Sequence, residues 1–495
     1  MQKTNKNYIP NAKNTTPDYY CTWQTQLYAT CDGKPEAQRA NITEQALFSG
    51  TKPFGWTNFY PDIRKDLFLV MDDSWDVPLS DYKDYHGSFI LNRDKFPTYA
   101  DEKNNAKALK ELNRAAQKKG WKGIGVWVCA QSSPLFDKGK TAEEYWTERL
   151  KQSSEAGILY WKVDWGKNCR VPEFRKWLTA LAHKVAPDVI IESALVPEVI
   201  PFCDVFRTYD VPAILSVPFT MNKLKQTLAY TAQNSFKSLI NCEDEAYIAA
   251  ALGCSMGIMR HPFAGAFPNG KPDMAFPSCH RNLKTKMQEV TRAVNWHKIA
   301  PAFGTDKENT FFSETTLHDF WHIENMNAEL ESWWPKALGM EDENPSKIQA
   351  DGVAAISRNM PLPKTIPDEN GFVPYLVCAK NPNGAVSIAA LGRTQGRRYF
   401  IPHCDVEIAC GNATTLGIFG EYKTLTLVFD GEIGTKKIYA QDLSSTDFSF
   451  DITEDVTVSE NRLTILGKTI ETVGNSARRA GDTSEAGLLL VIGEE

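Results

Sequence analysis

Lys162 and Asp164 are the two residues of this chain whose types and spacing most directly suggest chemistry. They close the apolar run at residues 159–163, and Trp165 follows at once. On an extended strand, residues two positions apart point to the same side, so the cation and the carboxylate would face one cavity. Such a pair at the carboxyl end of a barrel strand, beside tryptophans, suits a site that cleaves sugars. A structural ion pair is the alternative, and the short motif alone favours it.

Other apolar runs in the first half of the chain also stop at polar residues. Buried parallel strands look like this, because helices cover both faces of the sheet and only the strand ends are open. The runs alternate about eight times with helical segments, which predicts an α/β fold, a closed (β/α)8 TIM barrel. An open doubly wound sheet is the alternative, but the sequence has no GxGxxG after its first strand and no GxxxxGK[ST]. The predicted strands cover residues 19–23, 66–70, 123–129, 159–163, 189–191, 205–209, 238–240 and 256–259.

Helix signals separate these strands. The sequence Thr141-Ala142-Glu143-Glu144 is a capping box that predicts a helix reaching Ala156. Pro172 suits the first position of the next helix, because its missing N–H would be unpaired there in any case. Periodicity and helix-forming composition predict further helices at residues 42–48, 101–119, 220–234 and 246–252.

The character of the chain changes after Trp334. Residues 341–371 are rich in Pro, Asp, Glu and Asn, and short strand-like runs begin at Tyr375 with turn signals between them. These runs predict an all-β sandwich. The predicted organisation is an N-terminal tail at residues 1–17, a catalytic barrel at 18–345, linker and loops at 346–374 and a C-terminal β-sandwich domain at 375–495.

Composition excludes several classes of protein. The formal net charge of -6 and the pI near 5.9 argue against nucleic acid or an anionic membrane as the partner. The sequence has no run of 18 or more apolar residues, as a transmembrane helix would require. Its 11 cysteines are odd in number and show no CxxC pattern, which argues against a complete disulfide framework and a structural zinc site. Residues 1–17 lack the apolar segment of a signal peptide, so the protein is expected to be cytoplasmic, or periplasmic or secreted if a signal was removed.

The predicted strand ends would share one pocket. Carboxylates outnumber cations among them, and like charges would raise the pKa of at least one carboxyl group, as a general acid requires. Two carboxylates flanking a glycosidic bond are the usual requirement of a glycosidase. Glu243, within Cys242-Glu243-Asp244-Glu245, is interpreted as part of a solvated helix start, with a sugar contact as the alternative. The strand ends supply Asp72, Asp73, Trp127, Lys162, Asp164, Glu192, Arg207 and Asp210.

Three of these motifs resemble those of a known clan. Asp72-Asp73-Ser74-Trp75, Lys162-Val163-Asp164 and Arg207-Thr208-Tyr209-Asp210 are similar to strand-end motifs of the retaining α-galactosidases. That clan includes melibiases, α-N-acetylgalactosaminidases and raffinose-synthase-like enzymes. The resemblance spans roughly residues 18–263, and a barrel followed by a β-rich domain is also the family plan. The sequence departs from many α-galactosidases at Trp165-Gly166-Lys167, where they have a glycine-cysteine pair.

The resemblance implies two catalytic roles. Asp164 matches the nucleophile that forms a covalent glycosyl-enzyme, and Asp210 matches the acid/base that protonates the leaving oxygen and then activates water. For retention of configuration, the two carboxyl groups should lie about 5–5.5 Å apart. The chemistry implied needs neither a metal nor an organic cofactor.

The resemblance also implies how the sugar is bound. Asp72 and Asp73 match the acidic pair that binds outer hydroxyl groups, Lys162 would contact hydroxyls near O3 and O4, and Arg207 would brace the site near O2. Trp23 lies where the family keeps a tryptophan under the sugar. The remaining substrate-binding candidates are Trp127, Trp165 and Glu192; for Glu192 a structural hydrogen-bonding role is weighed equally.

The sequence thus predicts a retaining exo-glycoside hydrolase that acts on an α-galactoside or a stereochemical relative such as a β-L-arabinopyranoside. A transglycosylase with the same site is one alternative. A non-catalytic carbohydrate-binding protein that uses residues 375–495 is another, from a different class. The expected partner is an oligosaccharide or glycoside rather than nucleic acid or membrane, and a homo-oligomer is left open.

Overall fold

A computed structural model describes residues 1–30, 39–50, 55–79, 83–208, 214–231, 237–259, 281–324 and 346–493. Its N-terminal half contains an 8-stranded parallel sheet in which each of the first six strands pairs with the next and the first pairs with the eighth. A parallel bridge between Asn241 and Ser255 joins the seventh strand to the chain entering the eighth. The ring is therefore closed, and the predicted barrel is confirmed. Its strands are Tyr19–Cys21, Phe68–Met71, Gly123–Val128, Tyr160–Val163, Ile190–Ser193, Val205–Arg207, Leu239–Asn241 and Gly257–Ile258.

The helices around the barrel follow the predicted signals. Thr141 accepts a hydrogen bond from the Glu144 N–H, and the Glu144 carboxylate accepts one from the Thr141 N–H, so the capping box is confirmed. The next helix begins at Pro172 as expected. The helices are Trp23–Thr30, Glu44–Phe48, Asn105–Lys118, Ala142–Ala156, Pro172–Val185, Ser216–Thr227, Ala246–Leu252 and Leu283–His297.

The first strand is shorter than predicted. It ends at Cys21, and Trp23 begins a helix instead of ending the strand. The carbonyl of Thr22 accepts a bond from the Gln26 N–H at 2.8 Å, so the chain turns into the helix immediately after the strand. The prediction that the first strand extends to Trp23 is therefore wrong, because the strand ends at Cys21.

Two tyrosines fill the barrel beneath its open end. Tyr19 and Tyr160 lie inside the barrel, with the centroids of their aromatic rings 5.2 Å apart. Glycines provide the space for them: a Cβ at Gly257 would lie 2.4 Å from Tyr19 Cζ, and a Cβ at Gly125 would lie 3.0 Å from Tyr160 Cβ. Any larger residue at either glycine would displace a tyrosine ring.

The C-terminal part is a β-sandwich, as predicted. A 9-stranded sheet faces a 5-stranded sheet, and their inner side chains form one apolar layer. The first sheet comprises Gln2–Thr4, Thr310–Phe312, Ala355–Arg358, Tyr375–Lys380, Val386–Leu391, Thr415–Gly420, Lys437–Asp442, Ser449–Asp451 and Gly487–Gly493. The second comprises Lys364–Ile366, Asp405–Gly411, Thr424–Phe429, Thr457–Ser459 and Arg462–Leu466, and the helix Gly467–Gly474 lies beside them.

The other face of the 9-stranded sheet covers the barrel. Ala389 and Phe419 belong to the apolar core shared with the last barrel helices, and the Phe419 ring lies 5.0 Å from that of Tyr247. Arg292 also crosses this interface and pairs with Asp442 at 3.0 Å, both side chains being fully buried. Because both faces of the sheet are covered, a strand such as Val386–Leu391 is buried along its whole length.

Three predicted segments need correction. Residues 346–374 contain strands rather than only linker and loops, and strands of the C-terminal part begin at Thr310–Phe312, inside the predicted barrel. The polar composition obscured a period-two pattern: Thr316–His322 and Lys347–Val353 alternate exposed and buried residues and pair with each other. They join Arg393–Gly396 and Arg398–Phe400 in a 4-stranded sheet. The predicted N-terminal tail likewise contains the strand Gln2–Thr4.

Every cysteine in the described part of the chain is a free thiol. Among the described helices, none is long and apolar enough to cross a membrane.

Candidate active site

Lys162 lies at the centre of a buried ion-pair network at the carboxyl ends of the barrel strands. Its Nζ is 3.2 Å from Asp164 Oδ2 and 2.8 Å from Asp72 Oδ2. The prediction that Lys162 and Asp164 share one side of their strand is thereby confirmed. Burial and Arg207 both disfavour the ammonium form, but Asp72 and Asp164 outweigh them and raise the pKa of Lys162 well above its usual value. The lysine is thus held as a cation.

Two hydrogen bonds and one ion-pair contact converge on a single carboxylate oxygen of Asp164. Besides Lys162, the indole Nε1 of Trp127 donates to Oδ2 at 3.2 Å, and Arg207 Nη2 lies 3.1 Å away. These donors come from the third, fourth and sixth strands, so the closed ring itself brings them together. The Asp164 side chain remains 10% exposed, whereas those of Lys162 and Arg207 are 1% exposed. Charge-assisted bonds of this kind favour the ionised carboxylate.

The backbone that carries Asp164 is fixed from two sides. Arg175 donates to the carbonyl oxygens of Val163 and Asp164 at 3.0 and 2.7 Å. Gly166 has a φ of 137°, and a Cβ there would lie 2.8 Å from Cys129 Sγ, so the chain passes close to the neighbouring strand end. The position of the carboxylate is therefore set by the fold.

Trp165 projects from this fixed segment. Its side chain is among the exposed large hydrophobic groups, at 49%, and the Arg39 guanidinium lies 5.3 Å from the centre of the ring. Arg39 also pairs with Asp73, Nε to Oδ2 at 2.7 Å. The indole next to Asp164 is thus supported by an arginine while much of its surface remains open.

Arg207 joins three carboxylates. Its Nη2 faces Asp164, its Nε lies 3.3 Å from Glu192 Oε1, and its Nη1 lies 3.4 Å from Glu243 Oε2. Burial disfavours the guanidinium charge, yet Asp164 and Glu243 raise the pKa of Arg207 well above its usual value. The suggestion that Arg207 forms only a surface ion pair is excluded by its complete burial.

Glu192 lies deeper in the barrel. Tyr160 and Tyr19 donate their hydroxyl groups to it at 2.6 and 3.3 Å, and Asn241 donates its amide at 2.8 Å. Burial raises the pKa of Glu192, although Arg207 and the Tyr160 hydroxyl act in the opposite direction. We predicted that repulsion between carboxylates would raise such a pKa; for Glu192 the principal cause is burial.

The acidic pair at the second strand end is also buried. Asp72 Oδ2 receives the Cys21 thiol at 2.9 Å as well as Lys162, and its Oδ1 accepts the Asp73 N–H. Asp73 Oδ1 accepts the Ser74 hydroxyl at 2.9 Å. Neither carboxylate caps a helix among the described elements.

The structure brings together most of the predicted residues. Trp23 is half-buried and packs on the apolar cluster inside the barrel that contains Tyr19 and Cys21. Asp210, the predicted acid/base, lies outside the described residues. Those that share the ion-pair network or contact it are Asp72, Asp73, Trp127, Lys162, Asp164, Glu192 and Arg207.

Sequence reasoning missed two residues. Glu243 is fully buried against Arg207, so the interpretation of this segment as a solvated helix start is wrong. The period-two rule could have found it, because Asn241 and Glu243 share one side of the seventh strand. Arg39 had no comparable signal, since it reaches Asp73 from a segment 34 residues away in the sequence. No group of three or more His, Cys, Asp or Glu side chains in the described ranges could hold a metal ion.

No family model matches the sequence, and no curated protein does either. Solved structures do resemble the chain. One is a variant β-L-arabinopyranosidase from Geobacillus stearothermophilus in complex with arabinose, at 10% identity, covering 96% of this chain and 97% of that chain, with a TM-score of 0.42. Another is a candidate α-N-acetylgalactosaminidase from Bacillus halodurans, at 10% identity and complete coverage of both chains (100% and 100%), with a TM-score of 0.39. An α-amylase from Anoxybacillus matches at 11% identity over 97% of this chain and 98% of that chain, with a TM-score of 0.43.

The first two names belong to the α-galactosidase clan whose motifs this sequence resembles. At identities of 10–11% and these TM-scores, the similarities carry no weight for activity. The function must therefore be argued from the residues of the barrel end.

Proposed function

We propose that this protein is a retaining exo-glycoside hydrolase that acts on an α-galactoside or a β-L-arabinopyranoside. Asp164 is the nucleophile and Asp210 the acid/base in a double displacement. In the first step the Asp164 carboxylate attacks the anomeric carbon while Asp210 gives its proton to the leaving oxygen. In the second, Asp210 takes a proton from water, which attacks the same carbon and releases Asp164.

The observation that carries the proposal is the environment of Asp164. Two hydrogen bonds and the ion pair with Arg207 hold one of its oxygens at the open end of the barrel, where active sites of this fold lie. A nucleophilic carboxylate must be ionised and aimed, and these contacts favour both. Because Lys162 and Arg207 each bind Asp164 and another carboxylate, the nucleophile can change its charge during the reaction without leaving a cation unpaired.

The carboxylates around Asp164 support another requirement of the reaction, the stabilisation of positive charge in the transition state. Four carboxylates, Asp72, Asp164, Glu192 and Glu243, surround the two cations Lys162 and Arg207. An oxocarbenium-like transition state places positive charge on the sugar ring. Fixed negative charge in a buried site stabilises such a state because little reorganisation is needed at the moment of reaction.

The remaining assignments concern sugar binding. Asp72, Asp73 and Lys162 would hold hydroxyl groups of the sugar, with Arg39 keeping Asp73 in place. The exposed indole of Trp165 is suited to stack on the apolar face of a sugar ring at the rim. Trp23 would line the site from the start of the helix that follows the first strand.

A panel of para-nitrophenyl glycosides tests the substrate class. We expect release of nitrophenol from the α-galactoside or the β-L-arabinopyranoside, with the product sugar formed first in the configuration of the substrate. Product analysis with an added sugar acceptor distinguishes hydrolysis from glycosyl transfer. A wild-type protein that cleaves no member of the panel and no oligosaccharide, while residues 375–495 bind glycan, would favour the carbohydrate-binding alternative.

Asp164→Gly tests the nucleophile. The variant should lose turnover by about 10⁴-fold or more, because no covalent intermediate can form. Added azide should restore cleavage and give a glycosyl azide of inverted configuration. Asp405→Asn, on an outer strand of the sandwich, is the matched control and should keep wild-type rates. Near-normal turnover by Asp164→Gly without azide would contradict the assignment.

A further inference from the structure

We propose that Glu192 is a positioning residue that fixes Arg207 beneath the sugar site and does not touch the substrate. This inference rests on the proposed function. It replaces the expectation of a direct contact between Glu192 and the sugar by an indirect role, exerted through the guanidinium group on Asp164.

Protein donors occupy both carboxylate oxygens of Glu192. Oε1 receives the Tyr19 hydroxyl and lies 3.3 Å from Arg207 Nε, while Oε2 receives the Tyr160 hydroxyl at 2.6 Å and the Asn241 amide at 2.8 Å. A carboxylate has about four acceptor positions. The residue is 1% exposed. Three hydrogen bonds thus fill most of these positions and Arg207 lies against Oε1, so protein groups enclose the carboxylate.

The barrel interior is built to supply these donors. Tyr19 and Tyr160 reach Glu192 because Gly257 and Gly125 leave room for their rings. Burying a charged pair rarely stabilises a protein more than apolar packing of the same volume would. The fold therefore gains little stability from Glu192, and its setting of three hydrogen bonds and an ion pair points to a requirement of the site above it.

That requirement is the orientation of Arg207. The guanidinium group is planar and rigid, so holding its Nε end fixes the direction of its two terminal nitrogens. With Nε beside Glu192, Nη2 faces Asp164 and Nη1 faces Glu243. A shift of the Glu192 carboxylate is thus transmitted to the oxygen of Asp164 that Arg207 holds. Asp164 would remain in place but be aimed less well.

Tyr160→Phe tests the inference by removing one donor from Glu192 while keeping the ring. We expect kcat to fall about tenfold with KM changed by no more than about twofold, since a lost bond to a charged group is worth about that factor. The acid limb of the pH profile should also move to higher pH. The lost hydroxyl had favoured the ionised carboxylate, so Glu192 would take up a proton at a higher pH and release Arg207. The other groups facing Glu192, which stay unchanged, are Tyr19, Lys162, Arg207 and Asn241.

Tyr422→Phe is the matched control. Tyr422 is a buried tyrosine of the sandwich whose hydroxyl donates to the Phe419 carbonyl at 2.8 Å. It should lower thermal stability about as much as Tyr160→Phe without changing kcat or the pH profile. If Tyr160→Phe does not fold, Tyr19→Phe provides the second test, because it removes a longer bond from the other oxygen.

The outcomes separate the two proposals. A wild-type protein without glycosidase activity overturns the proposed function. An active wild type whose Tyr160→Phe variant matches Tyr422→Phe in kcat and pH profile overturns the positioning role alone. A Tyr160→Phe variant with raised KM, unchanged kcat and an unchanged pH profile also overturns it, because that result indicates a substrate contact.

Discussion

The barrel end and the interior of the sandwich are both buried β-structure, but they are filled with opposite chemistry. Between the two sheets of the sandwich lie apolar side chains such as Ile388, Ile418 and Leu427, all fully buried. The corresponding inward positions of the barrel strands hold Lys162 and Arg207 with their carboxylate partners, equally buried. Equal burial therefore serves two different purposes in one chain.

The difference shows which region stabilises the protein and which prepares a reaction. Each fully buried aliphatic side chain of the sandwich contributes about 1.5–3 kcal/mol. Desolvation of the ions in the barrel consumes much or all of what their mutual attraction returns. Charges kept at such a cost mark the barrel end as the functional region, and variants in the two regions should separate stability from activity.

Among the variants that compare the two regions, Arg207→Met is expected to change activity and stability most. It removes the cation that faces three carboxylates, so kcat should fall about 10³-fold and the free energy of unfolding by about 3–5 kcal/mol. Steady-state kinetics and urea unfolding measure the two losses. Arg462→Met is the control: Arg462 is 47% exposed and pairs with Glu407 on the sandwich surface, so its loss should cost no more than about 1 kcal/mol and leave kcat unchanged. Equal losses of kcat and of unfolding free energy in the two variants would contradict this difference between the barrel end and the sandwich.

Leu427→Ala should show the reverse pattern. Leu427 is fully buried between the sheets, so the cavity should lower the free energy of unfolding by about 3 kcal/mol. The kcat of the folded enzyme should stay at the wild-type value, because the residue lies outside the barrel. Val428→Ala, half-buried on the same strand, should cost clearly less. A loss of kcat in Leu427→Ala under conditions where it is folded would indicate that the sandwich acts on the site.

Asp76 is a buried carboxyl group at the edge of the barrel end. Burial, with a smaller contribution from Asp73, raises its pKa to about 6, against an unfolded value of about 3.9. The folded state therefore binds the proton more tightly, and stability should fall by about 2 kcal/mol as pH rises from about 4 to 6. Asp76→Asn should flatten this dependence in urea unfolding at several pH values. A slope that persists in the variant would assign the titration to another group.

The smallest effect is expected for Trp165→Ala. Loss of the exposed indole should lower kcat/KM about fivefold, mainly through KM, because stacking on the sugar contributes about 1 kcal/mol. Trp165→Phe should recover most of the loss, since it retains an aromatic face. Wild-type kinetics in Trp165→Ala would remove this residue from the substrate-binding set, and a loss confined to kcat would place it closer to the reaction than proposed.

The barrel could be predicted because its strands are short apolar runs that stop at charged residues, and because caps such as Thr141 and Pro172 punctuate the helices. Lys162 and Asp164 could also be predicted from the sequence, because their two-residue spacing places them on the same side of the strand. Glu243 was within reach of that rule but was obscured by an acidic neighbourhood typical of solvent-exposed helix starts. Tyr160, two positions before Lys162, was within reach of the same rule, whereas Arg39 and Tyr19 could not be predicted because they come to the site from segments distant in sequence.

The short strand Gln2–Thr4 pairs with Ser449–Asp451 at one edge of the 9-stranded sheet. A ribosome delivers residues 2–4 before the whole barrel and their partner only after it, while most barrel strands emerge in the order in which they pair. Contacts between such distant residues also form slowly, because a very long loop must close. The strand Gln2–Thr4 is therefore expected to pair late, although it is synthesised before the barrel.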